Sequence, residues 1–277
     1  MTMLSINTNV GALQAASASY SVNKSMETSM QRLSTGKRIN SSADDAAGHQ
    51  IANRMTAEIQ GIRMSIRNAA DAQALLGTAE GAIEEIQTML LRMRELAVQS
   101  SNGTNTTADR AALQSEVDAL ELEISRIADN TTWAGLQLLD GSLSAGITFQ
   151  VGPDSGQTIT HSIAELAVTA ASIGLSAANT VGTLALANAY ISQMDVALSA
   201  IATEREQIGA VMNRLDHTIS NLNNVATNLA TAKGRIEDAD FAAETSNLSR
   251  TQVLQQASMA MLAQANASKQ NILSLFQ

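Results

Sequence analysis

Apolar residues recur every seven positions in two long stretches of this chain, and this spacing restricts the fold more than any other feature. In the first stretch the apolar positions are Ile59, Ile62, Ile66, Ala69, Leu76, Ile83, Leu90 and Ala97. In the second they are Met194, Ile201, Ile208, Leu215, Leu222, Leu229 and Ile236, followed four residues on by Leu198, Met212, Ile219 and Ala226. Such stripes are typical of helices that pack against other helices along their length.

Proline, which interrupts helices, is almost missing. The 277 residues include one proline, Pro153, together with 3 Phe, 2 Tyr and 1 Trp. Since residues 44–100 contain no proline, we expect one helix there, on the order of 85 Å long. A turn at Asn102-Gly103 and a second helix over residues 108–128 are predicted to follow. The predicted fold class is therefore mainly α, a long antiparallel helical coiled-coil bundle.

The middle of the chain has a different pattern. Residues 146–163 alternate polar and apolar side chains around Gly-Pro-Asp-Ser-Gly, which predicts one small β-hairpin with Pro153 in its turn. Residues 164–186 are the least periodic part, so we expect a connection or a weak helix there. The two heptad stretches flank the hairpin and are similar in length, so they are expected to pair antiparallel.

Both ends of the chain are poor in charge but carry apolar residues at helical spacing. Residues 1–31 contain only Lys24 and Glu27 as charged residues, and residues 251–277 contain only Lys269. The cores of interfaces are depleted in charge in this way, which favours terminal helices that pair in a filament core over frayed amphipathic ends. The residues expected in that core are Leu13, Tyr20, Met26, Leu33, Leu254, Met261, Leu262, Leu273 and Phe276.

Composition argues against several classes of function. With no cysteine, the chain has no disulfide framework or thiol nucleophile, and His49, His161 and His217 lack a metal-binding spacing. We therefore predict no metal, no cofactor, no catalytic residue and no enzymatic activity. The net charge of −9 argues against a nucleic-acid partner. Residues 166–194 are long enough to span a bilayer, but their polar residues and glycines argue against membrane insertion.

Two adjacent acids, Asp44 and Asp45, precede the first predicted helix. We expect Ser42 or Asp44 to cap that helix, where negative charge suits the helix dipole, rather than to act in catalysis. The first ten residues show neither a basic region nor a continuous apolar run, so a cleaved signal peptide is not expected.

Several motifs at the two ends resemble bacterial flagellin. Near the N-terminus they are INTN (6–9), LSTGKRINSSADDAAG (33–48) and IANRM (51–55). Near the C-terminus they are RIEDADFAAETSNLSR (235–250), LQQA (254–257) and LAQAN (262–266). The resemblance covers residues 1–165 and 187–277. The segment between them is too short for an outer domain, so the chain looks like a minimal flagellin.

The resemblance implies a structural subunit that polymerises into the helical flagellar filament, the propeller for swimming. Residues 1–43 and 235–277 would form the inner D0 layer with its connecting spokes, and residues 44–234 the D1 rod domain with the hairpin at about 146–163. It also implies an extracellular location reached without a cleaved signal peptide. The implied partners are other copies of the chain, an export chaperone, the filament cap and hook-associated junction proteins.

The same resemblance implies a host receptor. Arg92, Leu96 and Glu116 match positions at which flagellins of this type are recognised by Toll-like receptor 5, although Leu91 replaces a glutamine often found there. Two other classes stay open: a hook–filament junction (hook-associated) protein, which shares the terminal helices, and an intracellular coiled-coil rod, which predicts a stable dimer with ordered ends.

Overall fold

Five helices make up most of the chain in a computed structural model that describes residues 8–166 and 180–274, the side chains of residues 269–274 excepted. The helices are α1 (Val10–Thr35), α2 (Ala46–Ser100), α3 (Thr107–Asn130), α4 (Leu184–Glu237) and α5 (Phe241–Ser274). Two antiparallel sheets lie between α3 and α4: β1 (Thr132–Trp133) with β2 (Leu136–Gln137), and β3 (Ile147–Gln150) with β4 (Thr158–His161). The predicted fold class, mainly α with a small β-hairpin region, is confirmed.

The chain forms two compact units. One comprises Met1–Ile59 with Thr227–Gln277, and the other comprises Gln60–Ala226. The first contains α1 and α5, and the second contains α3, both sheets and most of α2 and α4. The predicted boundaries after residues 43 and 234 refer to layers of an assembly, and they stay a prediction.

An acidic side chain caps the start of α2, although not the one predicted. Asp45 Oδ1 accepts a hydrogen bond from the backbone N–H of Gly48 (2.9 Å). Asp45 thus has the capping role that was expected for Ser42 or Asp44. Asp44 instead accepts hydrogen bonds from the backbone N–H groups of Ser41 and Asn40, and these lower the pKa of its carboxyl group. Two neighbouring acids thus fix the turn before α2 and the helix start itself.

The heptad stripes form the core of the unit Gln60–Ala226. On α2 the predicted positions from Ala69 to Ala97 are fully enclosed, and on α4 so are those from Met194 to Leu215. The second buried row on α4 lies three residues after the first rather than four: it consists of Ala197, Glu204 and Val211. The predicted residues Leu198, Met212 and Ile219 are only partly buried. The segment after β4 contacts this second row at Glu204.

Side-chain contacts show that α2 and α4 are antiparallel within this unit, as predicted. Gln73 Nε2 donates to Asp216 Oδ1 (2.6 Å), and further along α2 Arg94 Nε donates to Asp195 Oδ1 (2.7 Å). Both contacts lie at the surface, where such pairs add little stability, so they mainly fix the alignment of the two helices.

The β3–β4 hairpin lies against α2. Asn68 Nδ2 donates to the Gln150 carbonyl (3.2 Å). In the turn, Pro153 packs so close to Gly61 that a Cβ atom added at Gly61 would lie 3.0 Å from the proline Cβ. The β1–β2 pair was not predicted; its turn places Ala134 (φ 49°) and Gly135 (φ 85°) in left-handed conformations.

Within residues 8–166 and 180–274, one helix meets the length and hydropathy of a membrane span. A window of 18 residues in α4 reaches a mean hydropathy of 1.2 with few charges. The core helix of a water-soluble protein meets the same test, and α4 contributes its heptad row to the core of Gln60–Ala226. The window is therefore weak support for membrane insertion.

Candidate assembly surface

Small and polar side chains join α1 to α5. The two helices are antiparallel, and their Cα atoms approach to within 8 Å. The facing positions follow steps of three and four on both helices. On α1 they are Ala12, Ala15, Ser19, Val22, Met26, Ser29 and Leu33, and on α5 they are Glu244, Leu248, Thr251, Gln255, Ser258, Leu262 and Ala265. Because most of these side chains are small or polar, the backbones approach closely but bury little apolar area.

The pairing is held at its two ends and its middle by three polar contacts. Two of them join side chains, and one joins a side chain to a backbone carbonyl. They join Asn9 to the Ala265 carbonyl (3.1 Å), Gln255 to Asn23 (2.8 Å) and Arg32 to Glu244 (3.7 Å). Polar residues at core positions of paired helices are known to specify their alignment. We infer that these contacts help to set the register of α1 against α5, since small and polar residues outnumber large apolar ones at the seam.

Most of the large apolar side chains described on α1 and α5 lie on the outside of the pair, whereas Met26, Leu33, Leu248 and Leu262 face its seam. Tyr20 is 74% exposed, Leu13 62% and Met261 65%. Other exposed apolar residues of these helices are Val10, Met30, Phe241, Val253, Leu254 and Met259. An ordinary coiled coil buries such residues at its seam, whereas this pair leaves most of them exposed and buries Ser19, Ser29 and Thr251 there.

The residues predicted for the filament core fall into three groups. Leu13, Tyr20, Leu254 and Met261 are on the exposed apolar surface. Met26, Leu33 and Leu262 are partly buried between the two helices. Phe276 and the side chain of Leu273 lie outside the described part of the chain. The prediction did not include Val253, Met259 or Phe241, because the apolar residues of α5 are spread around the helix rather than aligned on one face.

An open apolar groove of about 530 Å³ runs between α1 and α5 near the start of α1. Its lining includes Gly11, Ala15, Ala18, Leu254, Met261 and Ala265. The small residues on one wall leave the space, and Leu254 and Met261 supply apolar area on the other. Such a groove can accept an apolar side chain from another molecule.

The segments between the helices are also joined within the unit Met1–Ile59 with Thr227–Gln277. Lys37 pairs with Asp238 as an isolated β-bridge, and Lys37 Nζ lies 2.6 Å from Glu237 Oε1. Burial acts to raise the pKa of Glu237, but the hydrogen bond from Lys37 and the charge of Lys233 outweigh it and lower that pKa. Gly36, at φ 71°, ends α1 in the left-handed conformation that allows the chain to turn.

The three residues expected at a receptor site differ in exposure. Arg92 is exposed and bridges two acids, with nitrogen–oxygen distances of 2.8 Å to Glu116 on α3 and 3.2 Å to Glu95. Leu96 is only 1% exposed and belongs to the core under this surface. Leu91, which is 46% exposed, supplies apolar area beside Arg92.

No metal centre is formed by the residues that the structure describes: among them, no three His, Asp or Glu side chains are grouped closely enough to hold an ion. The remaining candidate for function is the apolar outer surface of the α1–α5 pair.

Comparisons with known proteins match nearly the whole chain. Residues 6–144 match the family described as bacterial flagellin N-terminal helical region, and residues 191–276 match the bacterial flagellin C-terminal helical region. A flagellin of Halalkalibacterium halodurans is 42% identical over 273 residues, which are 98% of this chain and 99% of that protein. A flagellin of Bacillus subtilis is 36% identical over 302 aligned positions, with the same coverage.

Solved structures show a related fold. The crystal structure of Bacillus cereus flagellin is 35% identical in sequence and covers 60% of this chain and 94% of its own, with a TM-score of 0.50. A putative flagellar hook-associated protein from Vibrio parahaemolyticus covers 70% of this chain and 100% of its own, with a TM-score of 0.60. At 16% identity, the second likeness concerns the fold alone.

Proposed function

The chain belongs to the bacterial flagellin family, and from that membership we propose that it is a filament subunit whose copies join through the outer surface of the α1–α5 pair. The observation that carries this proposal is the exposed apolar surface of the pair, with Tyr20, Leu13 and Met261 more than half exposed. Apolar surface of this kind is stabilised by about 25 cal/mol for each Å² removed from water. Neighbouring copies would cover it.

The proposed assembly is an open helical polymer. The apolar residues are spread around α5, so one α1–α5 pair can contact several neighbours at once. Contacts that join unlike surfaces and do not close into a ring generate a helical fibre. In a bacterial flagellum this polymer would lie outside the cell and act as the propeller for swimming, a structural role without catalysis.

Exposed residues on the two units allow a direct test. In Tyr20→Ser and Met261→Ser, each apolar contact between copies is lost, so we expect the critical concentration for seeded polymerisation to rise at least tenfold. Leu122→Ser is the control, because Leu122 on α3 is as exposed as Tyr20, at 74%, but lies in the other unit. Filament length and mass would be measured by negative-stain microscopy and sedimentation. Unchanged polymerisation of both α1–α5 variants would exclude this surface.

A hook-associated junction protein is the alternative, since the hook-associated structure shares the fold. The match to both flagellin regions and the 42% identity to a flagellin favour the filament subunit. The two differ in growth: a filament subunit lengthens a seed continuously, whereas a junction protein adds a limited number of copies and stops. Seed length against time therefore separates them.

Further partners follow from membership of the family. We infer that the chain leaves the cell without a cleaved signal peptide, in contact with an export chaperone, and that it meets the filament cap and hook-associated junction proteins in the assembled flagellum. The absence of cysteine supports this, since an unfolded chain in transit would form no disulfides.

We also propose recognition by Toll-like receptor 5 at the surface formed by Arg92 and Glu116, with Leu96 supporting it from the core. Because Arg92 already pairs with two acids, a receptor must accept or replace those contacts. Arg92→Ala should reduce receptor signalling at least tenfold. Arg126→Ala, which removes another exposed arginine paired with an acid, serves as the control. Equal signalling by wild type and Arg92→Ala would contradict the proposal.

A further inference from the structure

Two titratable side chains are buried together in the core of the unit Gln60–Ala226. His161 on β4 is 6% exposed and Glu204 on α4 is 7% exposed. His161 Nε2 lies 3.9 Å from Glu204 Oε1, and it has no hydrogen-bond partner among the residues that the structure describes. Buried polar atoms without a partner are rare in folded proteins and often mark a special role.

Glu204 occupies a position that would ordinarily be apolar. It stands in the buried row of α4 between Ala197 and Val211. Its Oε1 accepts a hydrogen bond from the Ala164 N–H (3.4 Å), three residues after His161. Glu204 therefore attaches the end of the β3–β4 hairpin to α4, and His161 reaches the same carboxyl group from the last residue of the hairpin.

We propose that His161 and Glu204 form a proton-sharing lock that fastens the β3–β4 hairpin to α4. The lock holds when the pair carries one proton, as a neutral acid beside a neutral imidazole or as an ion pair. When both groups are protonated, the buried imidazolium lies beside a neutral acid and has no anion next to it. When both are deprotonated, the buried carboxylate lies beside a neutral imidazole and has no cation next to it. Both of these states favour release of the hairpin into water. The proposal does not depend on filament assembly.

The surroundings of the pair disfavour charge on either group. Burial lowers the pKa of His161. Burial raises the pKa of Glu204, and the hydrogen bond from Ala164 only partly offsets this. Each group is thus driven towards its neutral form by its position in the core.

Neighbouring charged groups have other contacts. Arg205, next to Glu204, lies 3.6 Å from Glu80 on α2. Asp140, in the loop before β3, accepts hydrogen bonds from Ser142, and these lower the pKa of its carboxyl group. Glu165, which follows the hairpin, lies against Gly141 and also takes part in a further non-covalent contact. Arg205 and Asp140 therefore have partners elsewhere, whereas His161 and Glu204 face each other.

The two groups respond to pH in opposite directions. For a base whose pKa falls on burial, attachment weakens as the pH drops below its ordinary value of 6.5. For an acid whose pKa rises on burial, attachment weakens as the pH rises above its ordinary value of 4.5. Between these values the two effects oppose each other in the wild-type chain, so single variants are needed to separate them.

Hydrogen exchange of the full-length chain tests the lock. The quantity measured is the protection factor of hairpin amides between pH 4.5 and 8, which divides out the intrinsic effect of pH on exchange. In Glu204→Gln only His161 titrates, so hairpin protection should fall about threefold to tenfold as the pH is lowered through 6.5. In His161→Gln only Glu204 titrates, so protection should fall by a similar factor as the pH is raised.

Opposite slopes in the two variants, with α3 protected equally in both variants at each pH, would support the lock. Slopes of the same sign, or none in either variant, would overturn it. If a variant does not fold, the NMR titration of the His161 ring in the wild-type chain replaces it. A pKa displaced from 6.5, downwards where the pair is neutral or upwards where it is an ion pair, supports the lock, and an ordinary value overturns it.

Discussion

At the scale of single residues, buried polar side chains connect segments that are far apart in the sequence. Tyr190 on α4 is 1% exposed, and its hydroxyl donates to Glu121 Oε1 on α3 (2.8 Å). The Ser100 hydroxyl, at the end of α2, donates to the Val181 carbonyl (2.6 Å). Removing one partner of such a bond leaves the other without a replacement, so these contacts matter more than surface ion pairs.

Tyr190→Phe tests the contact with Glu121. Burial raises the pKa of Glu121, and the tyrosine hydrogen bond acts against that rise. Without the hydroxyl group the pKa should rise further, so the loss of unfolding free energy should be about 1–2 kcal/mol at pH 8 and smaller at pH 4. Urea unfolding at both pH values measures the loss. Tyr190→Phe in a Glu121→Gln background is the control, and an equal loss at both pH values would contradict the explanation.

Residue types alone predicted some of the structure at the level of single residues. The acids at Asp44 and Asp45 predicted a helix start, but which of them caps α2 depends on a shift of one residue that their types do not encode. The contact of Tyr190 with Glu121 and that of His161 with Glu204 could not be predicted, because each joins residues brought together only by the folding of α4 against other segments.

At the scale of elements, polar contacts add to limited apolar packing between α1 and α5. If Gln255 and Asn23 fix the register, Gln255→Ala should lower the free energy of local opening of the pair by about 1 kcal/mol. Gln252→Ala is the control, because Gln252 is exposed on the same helix. Hydrogen exchange of α1 and α5 amides measures the opening. The same loss from Gln255→Ala in an Asn23→Ala background would show that the two residues are not coupled.

The hairpin depends on a close approach to α2. A side chain at position 61 would collide with Pro153, so Gly61→Val should cost about 1–3 kcal/mol of stability and reduce protection of the hairpin amides. Gly77→Val is the matched control, since nothing lies within 4 Å of a Cβ atom at Gly77 on the same helix. Thermal unfolding compares the two. Equal melting temperatures would show that the contact with Pro153 is not required.

Periodicity predicted the elements well where one face is buried. The helix predicted over residues 44–100 is Ala46–Ser100, and that predicted over 108–128 is Thr107–Asn130. The predicted hairpin over residues 146–163 contains β3 and β4. The β1–β2 pair escaped prediction because two residues per strand are too few to show alternation. The second row of α4 was misplaced because the buried row contains a charged residue, Glu204, which apolar spacing does not select.

At the scale of the whole molecule, the two units should separate in function. A chain lacking residues 1–31 and 251–277 loses most of the α1–α5 pair, but it keeps Gln60–Ala226 with its own core. We expect soluble monomers that retain cooperative unfolding and the fluorescence of Trp133. Sedimentation and thermal unfolding measure these properties. Filaments formed by the shortened chain would contradict the role given to the ends.

Low charge at both ends predicted an assembling surface, but one chain could not reveal its geometry. Leu13 and Met26 looked equivalent in the sequence, yet Leu13 is exposed and Met26 lies between α1 and α5. The distinction depends on the register of the two helices, in which Gln255 contacts Asn23. Which outer residues meet which neighbour depends on the symmetry of the polymer.

The exposed apolar surface of the α1–α5 pair also bears on when this part of the chain becomes rigid. A pair that buries serine and threonine gains little from its own closure, and its large side chains gain only when other copies surround them. The rigidity of this part of the chain would therefore be a property of the assembled filament rather than of the single subunit. The α1–α5 pair of each molecule would become ordered when that molecule is enclosed at the growing end of the filament. In a molecule that detached, the pair would become flexible again.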